Sequence, residues 1–273
     1  MKRIWPLVTL LLLPLASAQL AVGVNPPGLI LQGQPGATLT ATIRLDNPQS
    51  QPIQVRVSLG DWNYNDRGQI TFYPPNTLPG SAASWITVNP LTLTLAGKGH
   101  AFVRYSVHIP PGTPQGTHWA VLFFEGKGTT PPPGHLLASF RVRVGYILYI
   151  NVGKTTVAGK IAGILGAYLG PDRYQFAIEY ANTGTQAVSL NGRVEVRNAQ
   201  GLTVVTIPIR GVVSLPGAIR LFKATLLGPL PAGEYSALVI LNNGTPGQDL
   251  AGQYTFTLNQ PLPAPPPPPK GTP

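Results

Sequence analysis

Between Gly134 and Val152 the chain reads GHLLASFRVRVGYILYINV. Ala138, Phe140, Val142, Val144, Tyr146 and Leu148 fall on one parity, and Ser139, Arg141, Arg143 and Ile147 on the other. Successive side chains of a strand point to opposite faces, so this spacing predicts one long strand with an apolar face and a second, mixed face. Shorter runs repeat the pattern at Leu39–Leu45, Ile53–Leu59, Ala101–Ile109, Tyr174–Tyr180 and Arg193–Arg197. Turn residues separate them, among them Pro35-Gly36, Asp46-Asn47-Pro48, Gly97-Lys98-Gly99 and Asn182-Thr183-Gly184. His118–Phe124 is almost wholly apolar, as expected of a strand covered on both faces. Gly and Pro, at 31 each, leave little room for helices. Only Val157–Tyr168 invites a helical reading, and its three glycines oppose it. The expectation is an all-β chain of two immunoglobulin-like antiparallel sandwiches in tandem.

Residues 1–18 read as an export signal: basic Lys2 and Arg3, an apolar Ile4–Leu15 broken by two prolines, and the small residues Ala16-Ser17-Ala18. That run falls short of the roughly 20 apolar residues that a spanning helix needs, so no membrane span is expected. The mature chain would start at Gln19, in the periplasm or at the cell surface. The first sandwich is expected over residues 19–150, a linker over 151–156, the second sandwich over 157–260, and a tail over 261–273 in which Pro265–Pro269 favour extended polyproline II. Kinked by Asn25-Pro26-Pro27-Gly28, residues Leu20–Leu31 read as an edge strand. No cysteine follows the signal, so neither a lipid anchor nor a disulfide is expected, and each domain must be held by its core.

Several function classes are disfavoured. The signal removes two of 19 basic residues and none of nine acidic ones, which leaves 17 − 9 = +8. These charges are scattered, whereas nucleic-acid binding wants clustered Lys/Arg with interleaved aromatics. His100, His108, His118 and His135 show no metal-ligand spacing. Gly153-Lys154-Thr155 matches the end of a phosphate-binding loop, but Leu148 stands where that motif needs a glycine. Asp and Glu are too sparse for a paired-carboxylate site. Trp62, Trp85 and Trp119 read as core residues ahead of sugar platforms. No enzyme and no cofactor are expected.

One set of residues carries a resemblance. In order they are Asn47-Pro48; Asp61-Trp62 followed by Asp66 and Gly68; Ser81-Ala82-Ala83-Ser84-Trp85-Ile86-Thr87-Val88-Asn89-Pro90; Leu95 and Gly97 before Val103-Arg104-Tyr105-Ser106-Val107; and Gly116, Trp119 and Phe123-Phe124-Glu125. Over residues 20–150 the chain resembles the N-terminal domain of periplasmic pilus-assembly chaperones (PapD-like), while the second domain is generically immunoglobulin-like. The resemblance implies a protein partner: a pilin-like subunit with an incomplete sandwich, held by strand addition to the last strand of the first domain, and beyond it an outer-membrane usher. Leu136, Leu137, Ser139, Arg141, Arg143 and Tyr146 are then the subunit-binding residues. Chaperones of this family grip the subunit's terminal carboxylate with basic residues on the first and last strands. Here residues 20–43 contain no Lys or Arg, so Arg143 is the candidate substitute anchor. The alternative is a non-catalytic structural or adhesive envelope protein whose proline tail contacts wall polymers.

Overall fold

The computed structural model describes residues 22–127 and 141–264. The signal, Leu136, Leu137, Ser139, His135 and Pro265–Pro273 lie outside the described residues. Ten strands form the first sandwich: β1 (Gly23–Asn25), β2 (Gly28–Gly33), β3 (Thr38–Asp46), β4 (Ile53–Tyr64), β5 (Ile70–Tyr73), β6 (Ile86–Asn89), β7 (Thr92–Leu95), β8 (His100–His108), β9 (Gly116–Lys127) and β10 (Arg141–Val152). One sheet runs β1-β3-β8-β6; the facing sheet runs β2-β10-β9-β4-β5, with β7 also on β4. Seven strands form the second: β11 (Gly159–Tyr168), β12 (Arg173–Asn182), β13 (Val188–Asn198), β14 (Thr203–Ser214), β15 (Ile219–Leu227), β16 (Gly233–Asn242) and β17 (Leu250–Leu258). They pair as β11-β12-β15 and β14-β13-β16-β17. The protein is thus all-β, in tandem sandwiches.

Val157–Tyr168, where three glycines oppose a helix, supplies the edge strand β11. Two details differ from the expectations. β10 runs on through Asn151 and Val152, two residues expected in the linker, because Gly116 and Thr117 of β9 are still there to pair with them. The single kinked strand Leu20–Leu31 is two strands in different sheets. β1 pairs β3, and β2 pairs β10 in parallel. Pro26 and Pro27 lack the N–H groups that would keep the chain in one ladder, so it changes sheets there.

The first core is built by one parity from each strand: Ile43 and Leu45, Val55, Val103, Tyr105 and Val107, Leu122 and Phe124, and Tyr146, Leu148 and Ile150, all about fully buried. Each such side chain contributes about 1.5–3 kcal/mol when fully buried. Polar side chains stitch its loops. The Asn47 amide donates to the carbonyls of Gln51, Leu95 and Ala96. Fully buried Asp61 accepts the Thr77 and Leu78 N–H groups at 2.7 and 2.9 Å and the Ser81 hydroxyl at 2.6 Å. The second core centres on Phe176, Ile178, Leu190, Val194, Val239 and Phe256, with Tyr174 stacked on Phe256 at 4.8 Å.

A third cluster joins the two sandwiches. Trp62, Trp119, Val121 and Phe123, on the outer face of the β4–β9 pair, pack with Leu215, and Ile147, Tyr149, Ala187 and Ala218 close around them. Trp119 Nε1 donates to the Trp62 carbonyl at 2.8 Å. Thr117 Oγ1 accepts the Ala187 N–H at 2.9 Å and donates to Asn151 Oδ1 at 2.6 Å. Arg220 reaches back from β15 to the Gly68 carbonyl (2.9 Å), its guanidinium 3.6 Å above the Tyr64 ring centroid. This packing is why His118–Phe124 is apolar on both parities: one serves the first core and the other the junction. Trp62 and Trp119 are junction core rather than sugar platforms, and half-buried Trp85 packs on the first core with its ring 4.7 Å from His118.

Candidate functional site

The strand that closes the first sandwich has unequal edges. On one side β9 pairs with β10 along its whole length, from Arg141↔Lys127 to Val152↔Gly116. On the other side β2 covers only Ile147–Val152, in the register Gly28↔Ile147 to Gly33↔Val152. Among the described residues no strand pairs with Arg141–Tyr146 on that side. The stop is local chemistry. At Gly28 the backbone comes so close that a Cβ there would lie 2.7 Å from the Ile147 carbonyl oxygen, and the two prolines just before it take the chain away. What remains is a row of N–H and C=O groups that no described strand pairs with, a template for another strand.

The two faces of this open segment differ. Val144 packs against the first core, and Tyr146 is completely buried in it. The Tyr146 hydroxyl lies 3.1 Å from that of Tyr105, and burial pushes both phenols above their usual pKa. Tyr146 was expected among the subunit-binding residues; the structure corrects this. Its side chain has the parity of the core face, so it offers a partner only its backbone.

Arg143 points the other way. Its Nε sits 3.2 Å from Glu125 Oε1 across the β9 register, and its Cζ lies 3.4 Å from the Phe123 ring centroid. The side chain is 47% exposed, so the guanidinium is held in place yet accessible. Phe72 meets the same Phe123 ring edge-on at 5.0 Å. Glu125 and Phe123 are neighbours of Arg143 that the strand's own sequence did not reveal. Only the pairing of β9 with β10 brings them together. For Arg141 the structure describes the backbone, as the first residue of β10, and not the side chain.

Where β2 takes over, a small cleft of about 60 Å³ opens towards the second sandwich, lined by Ile30, Tyr149, Asn151, Ala187, Ser189 and Val213 among others. Ile30 is 65% exposed there, and no Lys or Arg lines the cleft. Burial, followed by the proximity of Tyr64, pushes the Tyr149 phenol up. A wider junction cleft of about 500 Å³, near Trp119, His118 and Thr185, holds no acid–base pair. Among the described residues no three His, Cys, Asp or Glu side chains gather around a point where one metal ion could sit. The described histidines have local partners: His108 Nδ1 lies 3.0 Å from Thr38 Oγ1, and His100 meets Phe102 at 5.6 Å. No described helix is long and apolar enough to cross a membrane. Chemically, the open edge offers backbone hydrogen bonds and, among its described side chains, the oriented cation of Arg143.

No protein-family model and no curated protein sequence matches this chain. Solved structures do. The chain is similar to one in the Salmonella enterica complex of SafA pilin with the SafB chaperone, at 17% identity and TM-score 0.45, over 89% of this chain and 99% of that one. It is similar to the E. coli chaperone DraB at 14% identity and TM-score 0.43, over 85% and 98% of the two chains. A third match lies in the Acinetobacter baumannii CsuC–CsuE chaperone–tip adhesion subunit complex, at 11% identity and TM-score 0.45, over 85% and 97%. At these identities the likeness is one of fold.

Proposed function

We propose that this chain is an exported, non-catalytic chaperone that holds a surface-fibre subunit by strand addition along β10. The observation that carries this reading is the half-covered edge. β10 is long, it is firmly paired on one side, and β2 leaves Arg141–Tyr146 open on the other. The resemblance of residues 20–150 to pilus chaperones points the same way, and implies a subunit with an incomplete sandwich and an usher that receives it.

The energetics limit what the edge can do alone. A backbone hydrogen bond contributes about 0.5–1.5 kcal/mol net, and association costs roughly 4–15 kcal/mol. A short ladder cannot meet that cost, so apolar side chains of the partner must also be buried, at about 1.5–3 kcal/mol each. Val142 and Val144 are half-buried on the inner face and give such side chains a surface to cover.

Site-directed photo-cross-linking in cells tests the reading. A photoreactive residue at position 143 of the mature chain should capture the extended, alternating segment of a subunit that lacks one strand. The same residue placed at exposed Thr42, on the opposite sheet, should not. Equal capture from both positions, or capture of wall polymer alone, rules the chaperone reading out in favour of a structural envelope protein.

A further inference from the structure

We propose that Arg143 is a receptor for a side-chain carboxylate carried by the middle of the added strand, so that the partner bears an Asp or Glu in register with it. This rests on the strand-addition reading and specifies its partner.

The first support is a row of charges. Arg56 on β4 stands opposite Glu125 on β9, and Glu125 stands opposite Arg143 on β10. Directly opposed residues of adjacent strands share a face, and opposite charges there stabilise pairing whereas like charges oppose it. The row therefore reads plus, minus, plus, and ends on a cation at the open edge. An anion on the next strand continues the alternation; a Lys or Arg at that place is rejected.

The second support is pre-organisation. Glu125 occupies the Nε side of Arg143, and the Phe123 ring lies beneath the guanidinium. Among the described residues none forms a hydrogen bond with the two terminal nitrogens, and the nearest Glu125 oxygen lies on the Nε side. An Arg fork matches a carboxylate bidentately, and holding the fork in advance removes part of the ordering cost of binding.

A carboxylate has two sources, an acidic side chain or a chain terminus. The open edge extends on both sides of Arg143, through Arg141–Val142 and through Val144–Tyr146. A strand that uses the whole edge therefore places an internal residue beside Arg143. A strand added parallel to β10 would bring its C-terminus instead to where β2 begins, next to the cleft of Ile30, Tyr149 and Asn151, whose lining holds no cation.

The test uses the mature full chain and synthetic peptides of alternating Val and Thr, roughly as long as the 12 residues of β10. One acetylated, amidated set carries a single Glu, scanned through the outward positions. A second set carries Gln in its place. A third carries Gln and a free terminal carboxylate. Titration calorimetry should give about tenfold tighter binding for the best Glu peptide than for its Gln counterpart, a ratio typical of one charge-assisted hydrogen bond. The gain should vanish in Arg143→Met and shrink in Arg143→Lys, which keeps the charge and loses the fork. Circular dichroism of both variants should match the parent. Equal binding of Glu and Gln peptides, or a tenfold gain for the free terminus instead, overturns this inference and leaves strand addition standing. If no peptide of any set binds, strand addition and this inference both fall.

Discussion

β10 is two strands in one. From Ile147 to Val152 it lies between β9 and β2, its core-facing residues are fully buried, and Ile147 and Tyr149 on its other face close the junction with the second sandwich. From Arg141 to Tyr146 the same strand has one neighbour among the described residues, and its outer face carries a half-exposed Arg143. The difference shows how a sheet can keep an edge available without coming apart. The closed half anchors the strand and fixes its register, and the open half inherits that register at no cost of its own. Any partner that adds to it meets a prepared template and not a mobile segment.

Substitutions can break this contrast. The largest effect should come from Leu148→Ala in the closed half, which empties a completely buried site and should cost about 2–5 kcal/mol in denaturant unfolding. A cost below that of an exposed position would mean that the closed half is not the anchor. Next comes Gly28→Ala at the boundary. The added methyl would lie 2.7 Å from the Ile147 carbonyl oxygen, and relief of such overpacking costs about 1–3 kcal/mol. β2 should shift, and the Ile147 and Leu148 amides should then exchange faster.

Tyr146→Phe probes the last residue of the open half. It leaves the Tyr105 hydroxyl without the partner 3.1 Å away, at about 1–3 kcal/mol for an unsatisfied buried group. The double variant Tyr105→Phe, Tyr146→Phe should be more stable than the sum of the two single losses predicts. Simple additivity would show that the two hydroxyls are not coupled. The smallest effect on stability belongs to Arg143→Ala. Its ion pair with Glu125 is about half exposed, so unfolding should change by about 1 kcal/mol or less, while the affinity for an acidic strand peptide falls. A large stability loss with unchanged affinity would reverse the assigned roles.

Much of this was legible in sequence. Alternation located most of the strands, and the parity that put Ala138, Phe140, Val142, Val144, Tyr146 and Leu148 together is the core face wherever the structure describes it. Tyr146 shows the cost of setting parity aside. The resemblance implies a place for it in the binding set, although its own parity assigns it to the core. The half-covered edge was not legible, because parallel pairing of β2 with β10 joins residues more than a hundred positions apart and leaves no local signature. Nor was the junction cluster, because Trp62, Trp119 and Leu215 come from three separate strands and loops of two domains. Leu136, Leu137 and Ser139 lie outside the described residues.

The most direct test of the central claim is residue-resolved amide hydrogen exchange of the mature protein, free and saturated with the Glu-bearing strand peptide. About every second amide of an edge strand faces away from its one neighbour. In the free protein those of Arg141–Tyr146 should exchange fast and those of Ile147–Val152 slowly. With peptide bound, the fast set should become protected and the slow set should not change. Protection gained elsewhere, along β14 or β17 for example, with Arg141–Tyr146 unaltered, would contradict strand addition at this edge.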